Sequence, residues 1–145
     1  MNANYSTTAQ AEKLSDRKLA AQWNSIDWKQ AEAEINGLQI RIAKAVQAKQ
    51  WNRVKRLQYL ITHSYYAKVL AVRKVTTNKG KNTAGIDKIV WQSPLDKMRA
   101  ALALSDKNYK ARPLRRVYIE KKGKQSKRPL SIPTMYDRAM QALYA

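Results

Sequence analysis

Arg115-Arg-Val-Tyr-Ile119 and Leu130-Ser-Ile132, joined by Lys121-Lys-Gly-Lys-Gln-Ser-Lys-Arg128, decide the fold class. The two flanking runs alternate in polarity, the period-two pattern of strands. The connector is polar and contains Gly123, so the stretch predicts an antiparallel β-hairpin with a very basic tip. Pro129 and Pro133 lack a backbone N–H, which restricts the second strand to an edge or a short segment.

Moving outward, the pattern becomes helical on both sides. Downstream, Asp137-Arg-Ala-Met-Gln-Ala-Leu143 starts a helix that reaches Ala145 in mid-pattern with no capping signal, an ending that suggests truncation. Upstream, Ser93-Pro94-Leu95-Asp96 is a sharp helix start: Ser93 caps, Pro94 takes the first helical position and Asp96 completes a box-like cap. Leu95, Met98 and Leu102 supply the apolar face of that short helix. Before it, Thr76 to Asp87 (TTNKGKNTAGID) reads as a loop, because its glycines and asparagines make a poor helix or strand. Its amides and lysines suit phosphates, but it lacks the spacing of a Walker loop. A basic glycine-containing loop is also a common accident.

Two longer helices precede this loop. One starts at Asp27, an N-cap, and runs to about Lys49, with Ala31, Ile35, Leu38, Ile42, Ala45 and Val46 on one face. Gly37 in its interior costs about 1 kcal/mol relative to alanine, so a packing reason or a bend is expected there. The other is expected as a single helix from Trp51 to Val75, with Val54, Leu57, Ile61, Tyr65, Val69 and Val72 as its stripe. The short link at Gln50 predicts that the two pack as an antiparallel hairpin. The expected fold is therefore α+β and mostly helical: a helical hairpin, a short third helix, the basic β-hairpin and the start of another helix. The expected divisions are a mobile polar arm over 1–24, a helical domain over 25–107 containing the basic loop, and the hairpin with its following helix over 108–145.

Charge narrows the function. Residues 1–40 hold four basic and five acidic side chains, whereas residues 41–145 hold 25 basic and five acidic, so the net +19 divides as −1 and +20. Such a field attracts polyanions. No apolar run is long enough to span a bilayer, and Met1-Asn-Ala-Asn-Tyr-Ser does not open a signal peptide. With no cysteine and one histidine, disulfides are excluded, a metal site is not expected and a cytoplasmic location fits. Taken alone, a basic helical face is more often solvated surface than a binding site, and a basic turn often only keeps an edge hairpin soluble.

Three segments together resemble a known family. They are Trp51-Asn-Arg-Val-Lys-Arg-Leu-Gln-Tyr-Leu60 continuing through Ser64 to Val75, Asn78-Lys-Gly-Lys-Asn-Thr-Ala-Gly-Ile-Asp87, and Pro113-Leu-Arg-Arg-Val-Tyr-Ile119 with Arg128-Pro-Leu-Ser-Ile-Pro-Thr134 and Asp137-Arg-Ala-Met-Gln-Ala142. In this order they resemble the N-terminal extension and first fingers motifs of group II intron-encoded reverse transcriptases, also called maturases. The resemblance implies a partial fingers subdomain of a right-hand polymerase. It assigns Lys121, with Lys122 as the alternative, and Arg128 to the triphosphate of an incoming nucleotide in the complete enzyme. It makes Lys79, Lys81, Arg112, Arg115 and Arg116 candidate RNA-phosphate contacts, and Tyr65, Tyr66 and Tyr118 candidate stacking residues, with Tyr65 also on the apolar stripe. His63 receives no chemistry. Glu120 departs from the family, which usually has proline there, and the turn is about one residue longer than the common form.

The resemblance also implies what this stretch lacks. The family's magnesium-binding aspartates lie in a palm region beyond motifs like these. Here Asp87, Asp96, Asp106 and Asp137 are scattered, and no paired-aspartate strand motif occurs. No catalytic residue and no resident cofactor are therefore expected in this chain, although Mg2+ is expected for a complete enzyme. The leading reading is an RNA-binding piece of a reverse transcriptase, silent alone, with RNA as its partner and the missing palm and thumb portion as a further candidate partner. A stand-alone RNA-folding module or a ribosome-associated basic protein is the alternative, and no membrane partner is expected.

Overall fold

The computed structural model describes residues 15–120 and 127–144. Helix α1 occupies 15–24, followed by α2 (Trp28–Gln47), α3 (Trp51–Thr62), α4 (Tyr65–Thr77) and α5 (Pro94–Ala103). The strands β1 (Arg115–Glu120) and β2 (Lys127–Ile132) and the helix α6 (Met135–Tyr144) complete the order. The fold is α+β and mostly helical, as the sequence predicts.

Helix α4 is central. It packs against α2, α5 and α6, and Ala67, Val69, Ala71, Val72, Val75 and Thr76 are all buried. Met98, Leu104, Met135 and Met140 close the main core around it. A smaller cluster of Ala45, Val54 and Leu57, flanked by Leu38 and Ile42, joins α2 to α3. This is the antiparallel helical hairpin expected from the short link. Lys49 closes that link with a left-handed backbone, φ 57°.

Caps form where the sequence places them. The Asp27 carboxylate accepts from the Gln30 amide at 3.2 Å, and the Ser93 hydroxyl accepts from the Asp96 amide at 3.1 Å. Each satisfies an otherwise orphaned N–H of the first turn. The β-hairpin is antiparallel with Arg115 opposite Ile132 and Glu120 opposite Lys127. Pro129 lies opposite Tyr118 in this two-stranded ribbon, where each strand is an edge.

Three expectations need correction. Part of the stretch read as a mobile arm, 15–24, is helical; it buries Trp23, packs Leu19 against the main core, and pairs Asp16 with Arg99. Trp23 also meets Trp28 edge-on at 5.1 Å. Two large apolar groups four residues apart, inside a polar composition, are enough to dock one helical face. Second, the single helix expected over 51–75 is two helices. At the break, the Thr62 hydroxyl donates back to the Gln58 carbonyl at 3.0 Å and His63 Nδ1 lies 2.8 Å from the Tyr59 carbonyl. Those bonds close α3 locally, and Ser64, extended at ψ 135°, redirects the chain into α4. Third, a Cβ built on Gly37 meets nothing within 4 Å, so no close packing accounts for glycine there.

Candidate nucleic-acid interface

The loop between α4 and α5 is basic and lacks regular secondary structure, yet it is firmly held. Arg138, on the first turns of α6, is the clamp. Its Nε donates to the Pro133 carbonyl at 3.1 Å, its Nη1 to the Gly80 carbonyl at 3.0 Å, and its Nη2 to the Thr83 carbonyl. Partial burial lowers its pKa and the nearby Asp87 carboxylate raises it in opposition. Arg115 adds a third tie to the loop, donating to the Ala84 carbonyl at 3.1 Å. Gly85 is buried against the start of α6, where an added Cβ would sit 2.6 Å from Thr134 Cα and 2.7 Å from its nitrogen. Only glycine permits that backbone approach.

These ties leave the loop's cationic side chains facing water. Lys79 and Lys81 are exposed, as are Arg112, Arg115 and Arg116. The bond from Arg115 to the Ala84 carbonyl ties the loop that carries Lys79 and Lys81 to the first residue of β1. Arg116, the next residue along β1, projects from the opposite face of the ribbon. Tyr118 shares that face and is 58% exposed, open to a stacking partner. Tyr65 packs against the main core and its hydroxyl accepts from Gln22, so it is not free to stack. Tyr66 is half-buried and meets Tyr65 edge-on at 5.6 Å. Lys121 and Lys122 lie outside the described residues. Arg128 is described only as backbone, paired with Ile119.

A second buried knot fixes the entry to β1. The Asp137 carboxylate is 3% exposed; it accepts from the Tyr109 hydroxyl at 2.5 Å and from the Arg112 amide at 2.9 Å. Its own amide donates to the Thr134 hydroxyl, the N-cap of α6. Burial, then the bond to Asp137 and its charge, push the Tyr109 hydroxyl up to about 12. Adjacent residues Asp137 and Arg138 thus lock the hairpin base on one side and the basic loop on the other. Nothing in the local sequence around Asp137 and Arg138 announces either task. Beside the knot, Trp91, Tyr109 and Tyr136 line an open cleft of about 750 Å³.

The electrostatics reinforce this picture. Residues 35–86 contain eleven lysines and arginines and no aspartate or glutamate. The second half of α2, all of α3 and α4, and most of the loop are therefore free of acidic side chains. Among the described residues no group of three or more His, Asp or Glu side chains gathers as a metal site. No helix among the described residues is long and apolar enough to cross a membrane.

Residues 23–104 match the family described as the N-terminal domain of reverse transcriptase. The chain is 35% identical over 86 residues to the group II intron-encoded protein LtrA of Lactococcus lactis subsp. cremoris, and the same holds for the protein of strain MG1363. That alignment covers 58% of this chain and 14% of the relative. The family match runs from the buried Trp23 through α2, α3, α4 and the basic loop to the end of α5, and stops before the β-hairpin and α6.

Proposed function

The chain belongs to the reverse transcriptase N-terminal domain family, and from that premise we propose that it is an RNA-binding unit of the group II intron-encoded type, without catalytic activity of its own. The observation that carries this reading is the clamped loop. Lys79 and Lys81 stand exposed on a backbone held by Arg138, Arg115 and Gly85, next to the basic hairpin. Ordering the loop in advance removes entropy that binding would otherwise cost. Its cations meet phosphates, while Arg112 and Arg115 add positive charge at the entry to the hairpin and Arg116 adds it on the ribbon's other face. Contacts of this kind provide affinity and orientation but do not read sequence.

In a complete enzyme, Lys121 and Arg128 would neutralise the triphosphate of an incoming nucleotide, and magnesium would be held by residues beyond those of this chain. The partner proposed here is intron or template RNA, met in the cytoplasm. The test is competition binding to labelled group II intron RNA, with excess unrelated structured RNA, at several salt concentrations. A steep salt dependence is expected in either case, because counterion release dominates phosphate contacts. Resistance of the intron complex to the competitor is the expected result. Equal displacement by unrelated RNA would leave only a generic polycation, and absence of RNA binding would overturn the proposal.

A further inference from the structure

The tip of the α2–α3 hairpin carries a surface that the loop and β-hairpin do not account for. Trp51, the first residue of α3, is 57% exposed. Lys49, Gln50, Asn52, Arg53 and Arg56 surround it, and together these residues line one open depression of about 590 Å³. Tryptophan normally reaches high burial on folding. Here the apolar side of α3 is served by Val54 and Leu57, which are buried against α2, and Trp51 takes no part in either core. Its flat face is left to solvent among cations, with no acidic residue anywhere between Glu34 and Asp87 to compensate them.

We propose that this tip is a second RNA contact, in which Trp51 stacks on an unpaired base while Lys49, Arg53 and Arg56 hold the flanking phosphates. The proposal rests on the RNA-binding reading above. Aromatic platforms flanked by cations are the usual device for single-stranded nucleic acid, because every base has a π-face and every linkage a charge. The amides of Gln50 and Asn52 offer donors and acceptors to a base edge. An anionic membrane surface is the competing partner for a basic tip with a tryptophan. It is disfavoured because the depression is otherwise polar and the continuous apolar side of α3 is turned inward, whereas a membrane-surface helix lays that side on lipid.

Geometry separates this contact from the first. Trp28 begins α2 under the Arg73 guanidinium, 4.6 Å from the ring centroid, and Arg73 lies in the last turns of α4, just before the basic loop. The tip lies beyond the other end of α2, 20 residues away, a span of about 30 Å at the helical rise. One RNA touching both would cross the acid-free faces between them.

The experiment uses the whole chain and two probes: a labelled single-stranded oligouridylate of about 16 nucleotides, and a duplex of the same length. Trp51→Ala is expected to weaken single-strand binding about 5- to 100-fold and to remove part of the tryptophan quenching on RNA addition. Duplex binding should change little, and Trp51→Phe should recover most of the loss, which a folding defect would not. Unchanged single-strand affinity in Trp51→Ala would overturn the inference while leaving the loop's role intact. So would a wild-type chain that binds intron RNA but not the oligouridylate. Quenching by phosphatidylglycerol vesicles and not by RNA would assign the tip to membranes instead. A wild type that binds no RNA of any kind removes both proposals together.

Discussion

At the scale of single residues, the site depends on two neighbours whose work is invisible in sequence. Arg138 reaches carbonyls 55 and 58 positions earlier, and Asp137 reaches groups 25 and 28 positions earlier. No local pattern announces bonds of that range; both residues read as an ordinary helix start. The presence of cations here is legible because charge is written in composition, whereas the anchor of the loop that carries Lys79 and Lys81 is not. Arg138→Ala should free the loop and cost about 1.5–3 kcal/mol, the range for hydrogen bonds made by a charged group. Hydrogen exchange of the amides over 78–85 is the check, with faster exchange expected there than in α4. Gly85→Ala should be worse, since its Cβ would lie 2.6 Å from backbone that cannot retreat, and a lowered melting temperature with the loop displaced is expected. Tyr109 gives a pH signature. Its hydroxyl is raised from the ordinary 10.0 to about 12, so the fold favours the neutral form. That contribution is complete below pH 10 and is lost as pH rises toward 12. Denaturant titrations should show the wild type losing stability across this window more steeply than Tyr109→Phe does.

Secondary-structure elements were the most legible level, and their errors have physical causes. Strand alternation found the β-hairpin, and cap chemistry found the starts of α2 and α5, because both signals are local. The α3–α4 break was missed because apolar spacing continues through Ile61 and Tyr65 as if one helix ran on. What ends α3 is back-bonding by Thr62 and His63 onto the preceding turn, which the apolar period does not record. Helix α1 was missed for the opposite reason, since a stripe of Leu19 and Trp23 is too sparse to stand out among polar neighbours. Gly37 supplies a test at this scale. It sits in the interior of α2 with open space where a Cβ would go. Gly37→Ala should therefore stabilise the protein by about 1 kcal/mol, read as a shift in denaturation midpoint without a change in slope. A destabilised variant would mean that the helix needs glycine's backbone freedom after all.

For the molecule as a whole, the same charge that attracts RNA opposes folding. The chain carries a net +19, and among the described residues the ion pairs are few and exposed: Asp16 with Arg99 and Glu32 with Arg73. Exposed pairs contribute about 0–1 kcal/mol each, too little to offset repulsion spread over the acid-free helices. Self-repulsion destabilises the compact state, and added salt screens it over a Debye length that shortens from about 30 Å at 0.01 M to about 8 Å at 0.15 M. The span of α2, about 30 Å, matches the screening length at 0.01 M and far exceeds that at 0.15 M, so ordinary salt concentrations should decouple the hairpin tip from the loop. Two opposite responses follow. Raising sodium chloride through this range should increase the melting temperature of the free chain while weakening its RNA complex. A melting temperature that fell with salt would mean that the surface pairs outweigh the net charge, and the electropositive face would then be a neutralised surface with no excess field to offer a polyanion.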